Sequence, residues 1–404
     1  MKKFLFNIVG FAIAVLLILH LFKSTLPFYW GNEELCDKME LFESDEAGFD
    51  LVYFGPSAVK REFIPSVFEN SLKDTSLRAF NFGTAGVYYA EQDFLVRHAM
   101  SDESFSDVSY VLSFGQDPKK IMDAHFHKLR IKYALDWSSY VSCVEYFYWK
   151  RDFQQVYRYT IMFLENQLFI GEIFEMFQWH FNDYGVPDDL HDKAGYVPYE
   201  WSVANNQKSR NQQDKFLDML DGDEYMPGHR KKTRTKNGIK KPSRYDEVLV
   251  RDLIELDRLA KKKGMRYLAV YEPNMNDFIS LDSLRVLYFG DGKDYQEYFE
   301  VENRWDHKHL NEKGAIFHTQ RLASLFEGEV FGSEKNRANQ HKGGQKKKKK
   351  KKKKKGKNKK KKAKDQKSKK DGVKSKKKDN GRKKGSKSNK RSKKKSKKKS
   401  RKKE

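Results

Sequence analysis

The 404 residues carry 82 Lys and Arg against 56 Asp and Glu, a net charge of +26, but the excess is confined to one end. From Lys335 onward there are 41 basic and 4 acidic residues, so residues 1–334 are acidic at −11. That split argues against a basic nucleic-acid-binding body, and two distant cysteines, Cys36 and Cys143, give no disulfide framework.

The N-terminus reads MKKFLFNIVGFAIAVLLILHLFK, two lysines followed by 19 residues from Phe4 to Phe22 without a formal charge. At 1.5 Å per residue that run spans about 28 Å, near the hydrocarbon thickness of a bilayer. Residues 1–25 are therefore expected to be a single-pass membrane anchor, with residues 4–22 in the bilayer. Lys2 and Lys3 hold the N-terminus inside, which puts the body outside the cytoplasm. A cleaved signal peptide is the competing reading, although no A-x-A-like site follows. A buried helix is the third.

Four apolar runs, each closed by a Gly or Pro turn, predict strands: FDLVYFGPS (49–57), LRAFNFGTAG (77–86), VSYVLSFGQD (108–117) and MRYLAVYEPN (265–274). Near-continuous apolar strands are those of a parallel sheet covered on both faces. Helix-period segments lie between them, YAEQDFLVRHAM after the second strand and RYDEVLVRDLIELDRLAKKKG before the fourth. The alternation predicts an α/β domain over residues 26–330, with functional groups at the C-terminal ends of its strands.

An insertion of helical and loop character occupies about 120–245. Its first part, from Cys143 to Phe181, is helical in pattern and rich in aromatic residues, read as lobe packing or as a substrate platform. Its second part, 205–243, reads as an exposed loop. His125 and His127 form an isolated HxH, more in keeping with ordinary surface than with zinc. No cofactor or metal is called for by any pattern. The tail, 335–404, lacks the apolar residues needed to offset the entropy of ordering, so it is expected to be disordered and to bind anionic polymers.

Three strand ends and one loop carry the chemistry. FGPSA places Ser57 in a strand-to-helix turn, where it is either a helix cap or an exposed nucleophile. NFGTAG offers the Gly86 amide, and SFGQD offers the side chain of Gln116. In RWDHKHLNEKGA (304–315), Asp306 and His309 stand three apart in a turn. There the carboxylate can fix the imidazole tautomer and leave the other nitrogen as a general base for Ser57. The amides of Ser57 and Gly86 and the Gln116 side chain would then stabilise an oxyanion.

The order G-x-S, N-x-G-x-x-G, G-Q-D and D-x-x-H-L-N-x-x-G resembles the SGNH (GDSL-type) hydrolase superfamily over about residues 49–326. The last block is the most specific match. The resemblance implies a three-layer, flavodoxin-like α/β sandwich and assigns Ser57, Asp306 and His309 to the triad, with Ser57, Gly86 and Gln116 at the oxyanion. The sequence departs from the family in reading FGPSA for Gly-Asp-Ser and in placing Gln116 where the family has Asn. An anchored, extracytoplasmic body resembles the branch that includes the teichoic-acid D-alanyl transfer and alginate acetylation proteins. That implies an esterase or O-acyltransferase acting on acylated glycans or polymers of the cell envelope, with an acyl-donor membrane protein as a further partner. A degenerate SGNH fold serving as an assembly or polyanion-binding module is the alternative. A nucleic-acid-binding protein acting through its tail is the third.

Overall fold

In a computed structural model, residues 1–23, 32–73, 76–87, 89–115, 134–168, 194–198, 200, 204, 207–221, 239–240, 244–272, 278–279, 284–289 and 295–332 are described. Gln116, the His125/His127 pair and the tail from residue 335 lie outside them. Helix α1, Lys2–Lys23, contains a 20-residue stretch of mean hydropathy 2.5. It is long and apolar enough to cross a membrane, as a single span or as a signal sequence.

The strands in chain order are β1 (Leu51–Gly55), β2 (Ala79–Gly83), β3 (Tyr110–Phe114), β4 (Ile239–Lys240), β5 (Arg266–Tyr271), β6 (Phe278–Ile279) and β7 (Val286–Tyr288). Five form one parallel sheet in the order β2-β1-β3-β5-β7, and β4 pairs with β6 apart from it. The four strands read from the sequence are all in the main sheet. β7 is an addition, three residues long at the sheet edge and too short to stand out as a periodic run.

Successive strand side chains point to opposite faces, and here both faces are covered. On one face Val52, Phe54, Phe80, Phe82 and Val111 meet α2 (Glu33–Ser44), α5 (Tyr89–Ala99) and α9 (Arg244–Lys262). On the other, Leu51, Tyr53, Ala79, Leu112 and Leu268 meet Val59 of α3 (Ser57–Glu62), Phe68 of α4 (Pro65–Ser71) and Leu322 and Phe326 of α10 (Glu312–Glu327). The result is a three-layer α/β sandwich. Full burial of a Phe or Leu side chain is worth about 1.5–3 kcal/mol, so these two layers dominate what holds the sheet.

Three helices lie between β3 and β5: α6 (Trp137–Lys150), α7 (Phe153–Leu168) and α8 (Gln207–Asp221). α6 stops at Arg151, which adopts a left-handed φ of 61° while its amide bonds back to Phe147 and Tyr148. Cys143, Tyr146, Phe147, Tyr159 and Met162 then form a core against Tyr89 of α5 and Val248 and Leu249 of α9. Much of the aromatic stripe is therefore packing, although Trp137, Phe153 and Tyr157 remain more than half exposed. Cys36 and Cys143 are not bonded to each other.

The stretch expected to be an exposed loop contains α8. Its Gln, Arg, Lys and Asp residues mask a sparse apolar face, of which Phe216 is buried at 2% exposure. Helix-forming residues on an exposed surface need little core, which is why a reading by hydrophobicity passed over it.

Candidate active site

From β1 the chain runs to β2 on one side, then returns to β3 on the other, so the strand order reverses at β1. Clefts at the C-terminal ends of parallel strands open at such a point. The turn after β1 delivers Ser57 there. Pro56 takes the cap position of α3 with an extended backbone, and Ser57 is the first helical residue. Pro56, not this serine, is therefore the cap residue, and the Ser57 hydroxyl meets His309.

Two features of β2 seat this short helix. Gly55 and Gly83 are in register, and a Cβ on Gly83 would lie 2.1 Å from the Lys60 amide nitrogen, so only glycine lets α3 come so close. Asn81 Nδ2 donates to the carbonyl oxygens of Val59 (2.9 Å) and Phe63 (2.7 Å), while its Oδ1 accepts the Gly83 amide at 2.8 Å. The asparagine in NFG thus adds a bond to the Val59 carbonyl, which already accepts the Phe63 amide at 3.2 Å, and supplies one to the Phe63 carbonyl just past the helix.

Asp306 and His309 stand on a loop closed by the Arg304–Leu310 bridge and by the Trp305 amide donating to the His309 carbonyl at 3.2 Å. Asp306 Oδ1 accepts the amides of Lys308 (2.6 Å) and His309 (2.7 Å), an Asx turn that fixes its carboxylate. Arg304, itself buried, ties the loop by donating to the carbonyls of Asp306 (3.2 Å) and Tyr298 (2.6 Å). Asn311 caps α10, its Oδ1 accepting the Gly314 amide at 3.0 Å. The Asn and Gly of the last block therefore build the loop's exit rather than touch the site.

Ser57, His309 and Asp306 are brought into one line of contacts. His309 Nε2 is 2.9 Å from Ser57 Oγ, and His309 Nδ1 is 2.9 Å from Asp306 Oδ2 and 3.2 Å from Oδ1. The carboxylate accepts the Nδ1 proton, leaving Nε2 as the acceptor facing the serine hydroxyl. Burial lowers the His309 pKa from its ordinary value, outweighing the upward pull of Asp306, and Arg61 and Lys308 lower it further. The imidazole is thus held neutral, the form a general base needs.

Gly86 lies in the turn leaving β2, the strand paired with β1, at a left-handed φ of 72° that favours glycine. Gln116 follows the described part of β3. Beneath the β2 turn, Lys38 Nζ donates to the carbonyls of Asn81 (3.0 Å) and Gly83, and Glu34 pairs with Lys60 at 2.8 Å. Burial pulls the Lys38 pKa down to about 7 against the attraction of Glu34, with Lys60 adding to the fall.

The sequence reading missed what lies behind the triad. Lys60, Arg61 and Glu62 look like a solvated charge run, yet all three are buried. Glu62 Oε2 accepts the Tyr298 hydroxyl at 3.1 Å and Oε1 faces the Leu310 amide at 3.4 Å. Nearby, His318 Nε2 is 3.1 Å from Glu272 Oε1, which also faces the Tyr53 hydroxyl at 3.5 Å. Burial raises the Glu62 pKa to about 7, helped by Glu272 and opposed by His318 and Arg304. Glu62, Glu272 and His318 each offer one atom within 4.8 Å of the others, a spacing a cation would tolerate. The polar hydrogens of Tyr298, Leu310 and His318 already address these carboxyl groups, so a hydrogen-bonded node accounts for the cluster. No single residue type flags it; only the register of α3 against α10 brings it together.

A second unanticipated contact comes from the middle of the insertion, residues 194–200. The Ala194 carbonyl accepts the Asn81 amide at 3.0 Å, and the Val197 amide donates to the Lys60 carbonyl at 3.3 Å. Glu200 Oε1 accepts the Trp305 indole at 2.6 Å and the Glu312 amide at 3.1 Å, so this strap bridges α3 and the His309 loop.

No protein-family model matches the chain, and no curated protein sequence matches it.

Proposed function

We propose that the chain is a serine esterase or acyltransferase of SGNH type on a flavodoxin-like sandwich, acting through an acyl-Ser57 intermediate. The observation that carries this reading is the Ser57–His309–Asp306 line of contacts at 2.9 Å and 2.9 Å, assembled at a strand-order reversal from residues 252 apart in sequence. Ser57 Oγ attacks the acyl carbonyl carbon while His309 Nε2 takes its proton. The tetrahedral oxyanion is met by the amides of Ser57 and Gly86 and by the Gln116 side chain. His309 then returns the proton to the departing alkoxide, leaving the acyl group on Ser57. Water or a sugar hydroxyl, deprotonated by His309 in turn, takes the acyl group and restores the serine.

The substrate class, acylated envelope glycans or polymers, comes from the resemblance of the four blocks and from α1. On this reading Lys2 and Lys3 stay inside and the body lies outside the cytoplasm, where such polymers and an acyl-donor membrane protein would be met. The Lys-rich tail supplies affinity for anionic polymers that weakens with salt.

A fluorophosphonate probe tests the reading. Incubated with the full chain in detergent, it is expected to mark Ser57, seen as a mass shift on the peptide containing that residue. Absence of label on a folded chain would leave the three residues as a structural hydrogen-bond chain in a binding module.

A further inference from the structure

Behind the triad, the helix that begins with Ser57 ends, less than two turns later, with Glu62. We propose that Glu62 is a positioning residue for the Ser57–His309 pair, fixing the end of the nucleophile helix to the loop that carries the base. The inference rests on the esterase reading for its chemistry, but its geometry stands independently.

Glu62 is 1% exposed, and each of its oxygens faces a different part of the segment that bears the base. Oε1 faces the backbone amide of Leu310, the residue after His309, at 3.4 Å, and Oε2 accepts from Tyr298 at 3.1 Å. The Tyr298 carbonyl in turn receives the Arg304 guanidinium at 2.6 Å, and Arg304 also holds the Asp306 carbonyl at 3.2 Å. One carboxyl group thereby reaches both sides of the loop, next to His309 directly and next to Asp306 through Tyr298 and Arg304. The backbone of Glu62 is held as firmly: Thr319 Oγ1 of α10 donates to its carbonyl at 2.8 Å and accepts the Ile64 amide at 3.1 Å.

The lever is short. Six residues of α-helix are about 9 Å long, so any tilt at the Glu62 end is carried to the Ser57 end with little damping. The Glu62 carboxyl ties α3 to the 304–310 loop directly, beside the serine–imidazole contact. A carboxyl buried at this position is costly, and an apolar side chain of the same shape would commonly be neutral or better for stability. What an apolar side chain cannot do is accept the Leu310 amide and the Tyr298 hydroxyl together. Tyr53 on β1, Glu272 after β5, His318 on α10 and Arg304 are further polar groups around the node, of which His318 and Arg304 act on the Glu62 carboxyl electrostatically.

The experiment compares the full chain in detergent with Glu62→Ala, Glu62→Gln and Tyr298→Phe, reading the rate of fluorophosphonate labelling at Ser57 and the His309 ring by histidine-selective 15N NMR. Misplacement of the pair by a fraction of an ångström is expected to slow labelling of Glu62→Ala by about 10- to 100-fold. Glu62→Gln, whose amide oxygen still accepts the Leu310 amide, should recover most of that loss. Tyr298→Phe, which removes one hydroxyl and leaves the carboxyl, should fall between and serves if Glu62→Ala does not fold. The His309 ring signals should move in Glu62→Ala and stay in Glu62→Gln. Wild-type labelling rate and unmoved His309 signals in folded Glu62→Ala, or no recovery in folded Glu62→Gln, would overturn the proposal. If the wild-type chain takes no label at all, the esterase reading fails, and the His309 signals alone decide whether Glu62 positions the loop.

Discussion

Asn81 reaches across from β2 and bonds the Phe63 carbonyl at 2.7 Å, closing the far end of the helix that Ser57 opens. Its truncation removes this bond to the Phe63 carbonyl and the one to the buried Gly83 amide, while Val59 keeps the Phe63 amide. Each buried group left without a partner costs about 1–3 kcal/mol.

Asn81→Ala should therefore lower stability by about 2–4 kcal/mol, with the loss read from the midpoint of urea unfolding. Asn81→Asp keeps the acceptor for Gly83 but loses the donors, and it should be at least as damaging. A change under about 0.5 kcal/mol, the range of ordinary surface substitutions, would show that α3 is seated by other contacts.

Substitution within the triad should separate activity from stability. Ser57→Ala and His309→Ala are expected to abolish labelling, and Asp306→Asn to reduce it by about 10³- to 10⁴-fold through loss of the right tautomer. The double variant Ser57→Ala/His309→Ala should be no worse in ester turnover than the poorer single one, since the residues act as a unit. Additive losses would mean they act apart.

Labelling should also report the state of His309. Its neutral form is the active one, and burial lowers its pKa. The rate should rise with pH and reach half its plateau below about 6.5, the ordinary histidine value. A midpoint above 7 would mean that Asp306 outweighs burial and that the imidazole is held charged.

Glu62 makes a separate prediction about stability. Its pKa is raised from 4.5 to about 7 in the folded chain, so the folded state holds this proton more tightly than the unfolded one. The stabilisation is fully present below about pH 4.5 and is lost as pH rises through about 7. Comparing urea unfolding of wild type and Glu62→Gln across pH 4 to 8, the glutamine chain should gain relative to wild type over that window and level off above it. Asp93, raised to about 6 by burial, titrates in both chains and cancels in the difference. Parallel curves would count against a proton held at Glu62.

If α1 spans the membrane with the body outside, protease added to intact spheroplasts should digest the body while a cytosolic control protein survives. Deletion of residues 4–22 should release the chain from the membrane fraction. Protection of the body until the membrane is breached would reverse the orientation.

Strands β1, β2, β3 and β5 were legible because each is a mostly apolar run of five or six residues ended by a turn. Such runs fit a parallel sheet covered on both faces. β7 was not legible, since three residues at an edge carry no period. Ser57, Asp306 and His309 could be nominated because their residue types and turn contexts limit what they can do. Glu62 could not. A charged residue in Lys-Arg-Glu is ordinarily solvated, and its burial depends on Gly83 admitting the α3 backbone and on α10 returning more than 250 residues later to cover it. Gln116 lies outside the described residues, so its contribution to the oxyanion rests on the sequence alone.

The 252 residues that separate Ser57 from His309 also set an order of events during synthesis. The serine leaves the ribosome long before the imidazole exists, and four strands of the main sheet, β2, β3, β5 and β7, are made between them. If the chain crosses a membrane as it is made, the nucleophile travels unarmed. It meets its base only when nearly the whole body stands on the far side, so an acylated metabolite met on the near side would find nothing to react with.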